Sequence, residues 1–314
     1  MNFKTRFTKD HISTWVKEGG VLIKSFFTDE EVDDVKKDFE RIFGSHQVRA
    51  KKEALTEKEK NVIGKSNEKQ FLNFDNIPVD CSKSLNLIGL HPALISFAKG
   101  ALKAKYVHLY QCQIWAKYTG EADYDQAFHC DFANHTLTVP SKTNILNSVT
   151  ILIYFSDVTE EHGPMHYVPR SKSIKVCEPK ILKEYDTRLQ EKLKDLSSSS
   201  ASPAGSIFAY GIDVYHRGTN LTKPNGYRYA VTACYKKSGN DSIGYCSWPW
   251  HHKKPWEIIF NNATPEQLSC LGIPPPGNNF WNEDTIRRNQ LRWPGWNMEE
   301  YLKRYKLIKP KSLK

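Results

Sequence analysis

His129 and Asp131 stand two residues apart in Phe128-His129-Cys130-Asp131-Phe132. In an extended segment, both side chains project to the same side and can grip one ion. A third group of matching type lies far downstream, His216 in Tyr215-His216-Arg217-Gly218-Thr219-Asn220. Two imidazoles and one carboxylate on one face of a metal leave the other face open. That arrangement is used to hold non-haem Fe(II) for oxygen chemistry. Arg228 comes twelve residues after His216, where it can bind an acidic co-substrate. A bare His-x-Asp also arises by chance in many chains, and an arginine is often only one half of a surface salt bridge. The order of the set gives it weight: His-x-Asp, a long gap, His, then Arg after a short turn.

The surrounding chain predicts the elements that carry these residues. Residues 1–18 read as a short helix that stops at Gly19-Gly20, and Val21-Leu22-Ile23 as a brief strand. Thr28 with Glu31 three residues later makes a capping box. Val32, Val35, Phe39, Ile42 and Phe43 recur at helical spacing, so 29–43 is an amphipathic helix with a core-facing stripe. Residues 45–70 are rich in Lys and Glu and poor in large apolar groups, which fits a surface insertion. A helical pattern resumes over 83–104, with Pro92 starting a new helix.

From about residue 106 the chain reads as β-rich. Residues 106–117 alternate, placing Gln111, Gln113, Trp115 and Lys117 on one face. Further strands are expected around His129 and at 149–155, 165–168, 205–210 and 228–235, with a charged helix at 176–196. Short strands between Gly, Pro and Asn turns predict an antiparallel barrel or sandwich. After residue 248 Trp and Pro are frequent, and Pro274-Pro275-Pro276-Gly277 is a rigid connector. No linker there frees a second domain. The chain is therefore read as one domain over 1–314: a helical part at 1–105, a β core at 106–240 and an extension at 241–314.

Composition narrows the function classes. The 314 residues are 39% hydrophobic and 12% aromatic, enough to fill a core without disulfides. No apolar run is long enough for a membrane span, and the N-terminus lacks the apolar segment of a signal peptide. Seven cysteines are scattered with no Cys-x-x-Cys pair, which favours reduced thiols in a cytoplasmic setting. The net charge of +10 is compatible with an anionic substrate or a nucleic acid. A solvated Lys-rich surface explains it more simply, because no compact basic motif with interleaved aromatics is present. No nucleic-acid partner is expected.

With these residues in view, the chain resembles the phytanoyl-CoA dioxygenase family of Fe(II)/2-oxoglutarate oxygenases, up to about residue 240. Gly20-Val21-Leu22-Ile23 with Phe27-Thr28-Asp29-Glu30-Glu31 is similar to the family's entry strand and helix. Phe128-His129-Cys130-Asp131 matches its His-x-Asp. The run from Asp157 to Met165 resembles its turn before the next strand, and Val168-Pro169-Arg170-Ser171-Lys172 its Pro-Gly-Ser-His segment. His216 and Arg228 match the distal His and the oxoglutarate Arg. Cys130 stands where the family often has Gln, and Arg170 and Lys172 replace a Gly and a His. The ligand positions survive these departures, which bear on the substrate rather than on iron.

The resemblance implies a mainly β fold with flanking helices, a double-stranded β-helix of jelly-roll, cupin-like type. It implies Fe(II) on His129, Asp131 and His216, and 2-oxoglutarate with its distal carboxylate on Arg228. Thr219 would add a hydroxyl to that carboxylate, and Gln111 would be a further contact, although a buried Gln is more often a structural partner. The activity implied is hydroxylation of a small-molecule substrate, with 2-oxoglutarate leaving as succinate and CO2. Related halogenases have a small residue in place of the Asp, so Asp131 favours hydroxylation or desaturation. The competing reading is a β-barrel binding module without turnover. His135 and His162 read as ordinary loop histidines, with a spare ligand or substrate contact as the alternative.

Overall fold

The computed structural model describes residues 6–44, 71–78, 80–120, 125–141, 147–177, 186–243, 256–265, 268 and 273–308. The insertion expected at 45–70 lies outside them.

Helix α1 (Lys9–Glu18) begins with a reciprocal cap between Thr8 and His11. It ends at Gly19, whose left-handed φ of 77° lets its N–H donate to the Trp15 carbonyl. A Cβ there would lie 2.6 Å from Val214, so only glycine lets β1 (Gly20–Ile23) start against the loop leading to His216. The helix predicted at 29–43 is α2 (Asp29–Phe43), with the Thr28–Glu31 capping box formed. A one-turn α3 (Lys83–Asn86) is followed by α4 (Pro92–Ala101), which has Pro92 in its first turn as expected.

The β core has two sheets. In the larger one, β1, β2 (Phe71–Asn73), β3 (Val107–Tyr118), β4 (Ser148–Tyr154), β7 (Ile207–Gly211) and β9 (Tyr227–Lys237) run in the order β1-β7-β4-β9-β3-β2. All their pairings are antiparallel. The smaller sheet has the order β6-β5-β8, from β5 (Met165–Tyr167), β6 (Ser198–Ser199) and β8 (His216–Gly218). Short helices α5 (Phe132–His135) and α6 (Arg170–Ser173) and the longer α7 (Thr187–Leu196) join the strands. This is the jelly-roll arrangement that the sequence implied.

Strand β9 shows how the period of two divides the larger sheet. Tyr229, Val231, Ala233 and Tyr235 meet Trp15, Val35, Phe39, Leu94 and Phe97 in the main core. Ala230 and Cys234 are buried in separate clusters on the opposite, inner face, which Arg228 and Thr232 share. Gln111, Gln113, Trp115 and Lys117 pair in register with Cys234, Thr232, Ala230 and Arg228. The face predicted from alternation is therefore the inner one. The register slips between Leu109 and Gln111, and at this bulge Tyr110 joins a cluster on the inner side.

The extension builds its own core. Helices α8 (Trp256–Asn262), α9 (Glu283–Arg292) and α10 (Glu299–Ile308) bury Trp256, Phe260, Trp293, Trp296 and Tyr301 together. Leu137, from the loop after Asp131, is buried in the same cluster.

A polar tie fixes the helices on the outer face. Arg6 grips Glu31 with both Nη atoms, at 2.8 and 3.1 Å. His91 accepts the Ala93 N–H on Nδ1, so its Nε2–H donates to Glu31 at 3.0 Å. Burial alone would raise the Glu31 carboxyl, but Arg6, the Thr28 N–H and His91 together bring it down to about 2. An unfolded carboxyl sits at 4.5, so this contribution is complete above that value and is lost as pH falls towards 2. Glu31→Gln should cost about 1–3 kcal/mol at neutral pH. Urea melts should show the gap between variant and parent shrinking at about pH 3.

Candidate metal centre

His129 and His216 face each other across an isolated antiparallel bridge. Each N–H donates to the other's carbonyl, at 3.0 and 2.9 Å. Their ring centroids are 4.5 Å apart. The expected strand through residues 129–131 is not formed. His129 occupies a single bridge, and Asp131 has helical backbone angles (φ −64°, ψ −20°) at the start of α5. The bend is set by distant partners: the Phe132 N–H donates to the Ile212 carbonyl at 3.0 Å, and Cys130 Sγ to the Asp213 carbonyl at 3.3 Å. Asp131 thus reaches the histidines from a turn, with Oδ1 3.3 Å from His216 Nε2. One ligand atom from each of the three residues lies within 4.8 Å of the others. No other such trio of His, Cys, Asp or Glu occurs among the described residues.

The backbone also orients both rings. His129 Nδ1 bonds the Ala127 carbonyl and His216 Nδ1 the Val214 carbonyl, both at 2.9 Å. A carbonyl only accepts, so each Nδ1 carries a proton and Nε2 is turned inward. Burial and the neighbouring His216 push His129 down to about 4, so its ring is neutral near pH 7. Burial would raise Asp131, yet His216, His135 and His129 hold it well below the ordinary carboxylate range. Burial would lower His216, yet the Asp131 carboxylate raises it. Burial and the Asp131 carboxylate push the neighbouring Tyr210 hydroxyl well up, and the Tyr210 ring lies 4.6 Å from that of His216. Two imidazoles with occupied outer nitrogens and inward-turned Nε2 atoms, beside an ionised carboxylate, form a donor set suited to a divalent metal.

Arg170 replaces a family glycine and has a structural task here. Its guanidinium grips Asp213 with two bonds, at 2.9 and 2.7 Å, and donates to the Val16 carbonyl at 2.8 Å. It thereby ties α1 to the turn whose next carbonyl, that of Val214, orients His216.

Arg228 is half-buried on the inner face, and among the described residues it has no hydrogen bond or ion pair. An unpaired guanidinium in such a place is costly, and a ligand carboxylate would relieve it. Thr219 lies nearby in the chain but differs from expectation. Its hydroxyl donates its one proton to the Pro164 carbonyl at 2.7 Å, so it has none to offer a carboxylate. It secures instead the turn at Gly163, where a Cβ would meet the Thr219 carbonyl at 2.5 Å. Gln111 Oε1 receives a long contact from Cys234 Sγ at 3.5 Å, close to the structural role weighed for it.

His162 is a turn residue, as read from the sequence. His135 is not. It ends α5, one turn after Asp131, and is only 6% exposed. Its Nδ1 is bonded to the buried Tyr110 hydroxyl at 2.8 Å, and its Nε2 has no hydrogen-bond partner among the described residues. Asp131 and His216 both act on it electrostatically. The spacing from Asp131 is the available signal, but only for a helix, whereas the sequence reads as a strand at His129 followed by a loop through His135.

The sequence model of phytanoyl-CoA dioxygenase matches residues 15–224, about two thirds of the chain. The chain belongs to the phytanoyl-CoA dioxygenase family. The matched span of this family member contains His129, Asp131 and His216 and ends four residues before Arg228. Among curated proteins, none matches its sequence. Solved structures agree in fold. The non-haem alpha-ketoglutarate-dependent carbocyclase SnoK from nogalamycin biosynthesis superposes with a TM-score of 0.54 at 18% identity, covering 74% of this chain and 85% of that one. EctD from S. alaskensis with bound Fe gives 0.54 at 16% identity, over 78% and 82%. The epimerase SnoN, in complex with Fe3+, alpha-ketoglutarate and nogalamycin RO, gives 0.53 at 16% identity, over 73% and 83%.

Proposed function

We propose that this member of the family is a non-haem Fe(II)/2-oxoglutarate-dependent dioxygenase that hydroxylates a small-molecule substrate. The observation that carries this reading is the convergence of His129, Asp131 and His216 on an inner face that also holds Arg228, which has no hydrogen bond or ion pair among the described residues. His129 and His216 would hold the metal through Nε2 and Asp131 through its carboxylate. When bound, iron and 2-oxoglutarate supply the oxidising power of O2, with 2-oxoglutarate leaving as succinate and CO2. Arg228 binds the distal carboxylate with its planar fork. His216 lies against the Asp131 carboxylate, 3.3 Å from Oδ1. The jelly roll holds these groups in place and shields them from water. Asp131 in the ligand position favours hydroxylation over halogenation; carbocyclase and epimerase structures share the fold, and analysis of the product separates hydroxylation from those outcomes.

The test is coupled turnover. Small molecules, anionic ones among them, are screened for O2-dependent release of succinate, and products are analysed for one added oxygen. Succinate without an added oxygen would remove hydroxylation and leave the oxygenase. His135 belongs to the same reading as a hydrogen-bonding contact for the substrate. His135→Phe should lower kcat/KM for the substrate about ten- to a hundred-fold and leave the 2-oxoglutarate KM unchanged. A binding module without turnover would release no succinate with any compound. Cys81, Cys112, Cys130, Cys177 and Cys234 are all free thiols, which supports a cytoplasmic setting. No described helix is long and apolar enough to cross a membrane.

A further inference from the structure

The stretch 132–139 follows Asp131 and contains one helical turn and no strand. Its backbone groups must therefore find partners elsewhere. Four of them are met by side chains of α9 and the residue after it. Arg292 donates from Nη2 to the Ala133 carbonyl at 3.0 Å and from Nη1 to the Thr138 carbonyl at 3.2 Å. Trp293 Nε1–H donates to the Leu137 carbonyl at 2.8 Å. The Val139 N–H donates to Asn289 Oδ1 at 3.0 Å. Asn289 is fully buried and is steadied by its own bond to the Thr285 carbonyl at 2.8 Å. The Arg292 guanidinium also lies over the Phe132 ring, 5.8 Å from its centroid. Residues 289, 292 and 293 are three and four apart, so one side of the helix end presents all three.

The segment they hold begins at Asp131. His129 and His216 are already locked by their mutual backbone pair and their Nδ1 bonds. Asp131 sits where the chain turns into α5: the bonds of its neighbours to Ile212 and Asp213 set that turn on one side, and its own side chain makes no cap bond. We propose that Asn289, Arg292 and Trp293 are positioning residues for the metal centre. Docking of α9 on 132–139 braces from the far side the turn that Ile212 and Asp213 set at Asp131, and holds His135 beside the two histidines. The inference rests on the iron reading above and gives the 241–314 extension a task in it. The matched family span ends at residue 224, so this clamp lies wholly outside it on the extension's side.

The test pairs local hydrogen exchange with anaerobic Fe(II) titration. Trp293→Phe removes one N–H and keeps a ring in the aromatic cluster. Arg292→Ala removes the fork, and Arg292→Lys restores a charge without it. Tyr301→Leu is the control: Tyr301 packs on Trp281 and Trp296 and makes none of these bonds to 132–139. Trp293→Phe and Arg292→Ala should speed exchange at 133–139, leave β9 unchanged and weaken Fe(II) binding about ten-fold, as outer partners of metal ligands do. Arg292→Lys should fall between Arg292→Ala and the parent. Tyr301→Leu should lower the melting temperature and leave Fe(II) affinity intact. Faster exchange with unchanged Fe(II) affinity would overturn the proposal. So would a Tyr301→Leu variant that loses as much affinity as Trp293→Phe. If the unmodified protein binds no Fe(II), the iron reading itself fails and takes this inference with it.

Discussion

Asp131→Ala is expected to abolish Fe(II) binding while the protein stays folded. The carboxylate is the only anionic group in the trio, and its charge is held fully developed by His216, His135 and His129. Two neutral imidazoles remain in the variant, and neither can offset the charge of a divalent ion. The loss should exceed the roughly hundred-fold upper range for changes in outer partners, because a ligand itself is removed. Asp131→Asn separates charge from shape. It keeps the size of the side chain and one oxygen but carries no charge, and it should fail almost as badly. Circular dichroism and a melting curve check the fold, and equilibrium dialysis with Fe(II) checks the metal. Retained binding within ten-fold in either variant would mean that the ion is held elsewhere.

Arg228→Leu should have the next largest effect, and it has two opposite signs. With 2-oxoglutarate the variant should lose about 2–5 kcal/mol of binding, roughly thirty-fold or more in affinity, because a desolvated carboxylate is left unpaired. Without it the variant should be as stable as the parent or more stable. The half-buried guanidinium has no hydrogen bond or ion pair among the described residues, and relieving an unpaired buried charge is favourable. Thermal melts with and without 2-oxoglutarate read both signs. In the parent, saturating ligand should add about 2.7 kcal/mol at a hundred times Kd; in the variant it should add about 0.9 kcal/mol or less at the same concentration. A variant destabilised without ligand would point to a structural salt bridge instead.

Much of this was legible in the sequence, for identifiable reasons. The Thr28–Glu31 box and the spacing of Val32, Val35, Phe39 and Phe43 specify α2 locally. Alternation over 106–117 gave the inner face of β3 because a period of two admits one division of residues between faces. The trio was visible as an ordered set of residue types, although its convergence is a tertiary fact. What escaped depends on contacts far apart in the chain. The turn at Asp131 is made by Ile212 and Asp213, and a His-x-Asp spacing serves a strand and a turn equally well. The burial of His135 depends on Tyr110 at a bulge in another strand. The Thr219 hydroxyl is occupied by Pro164, which no motif reports. The grip of Arg292 on Ala133 spans more than half the chain, where periodicity carries no information.

The most direct test is an anaerobic titration of the metal-free protein with Fe(II) and 2-oxoglutarate, followed in the visible range. The weak charge-transfer band of iron-chelated 2-oxoglutarate should appear at one equivalent of metal, vanish in His129→Ala and weaken in Arg228→Ala. Well-folded protein that shows no band at saturating Fe(II) and 2-oxoglutarate would contradict the iron site and leave a barrel that binds without turnover.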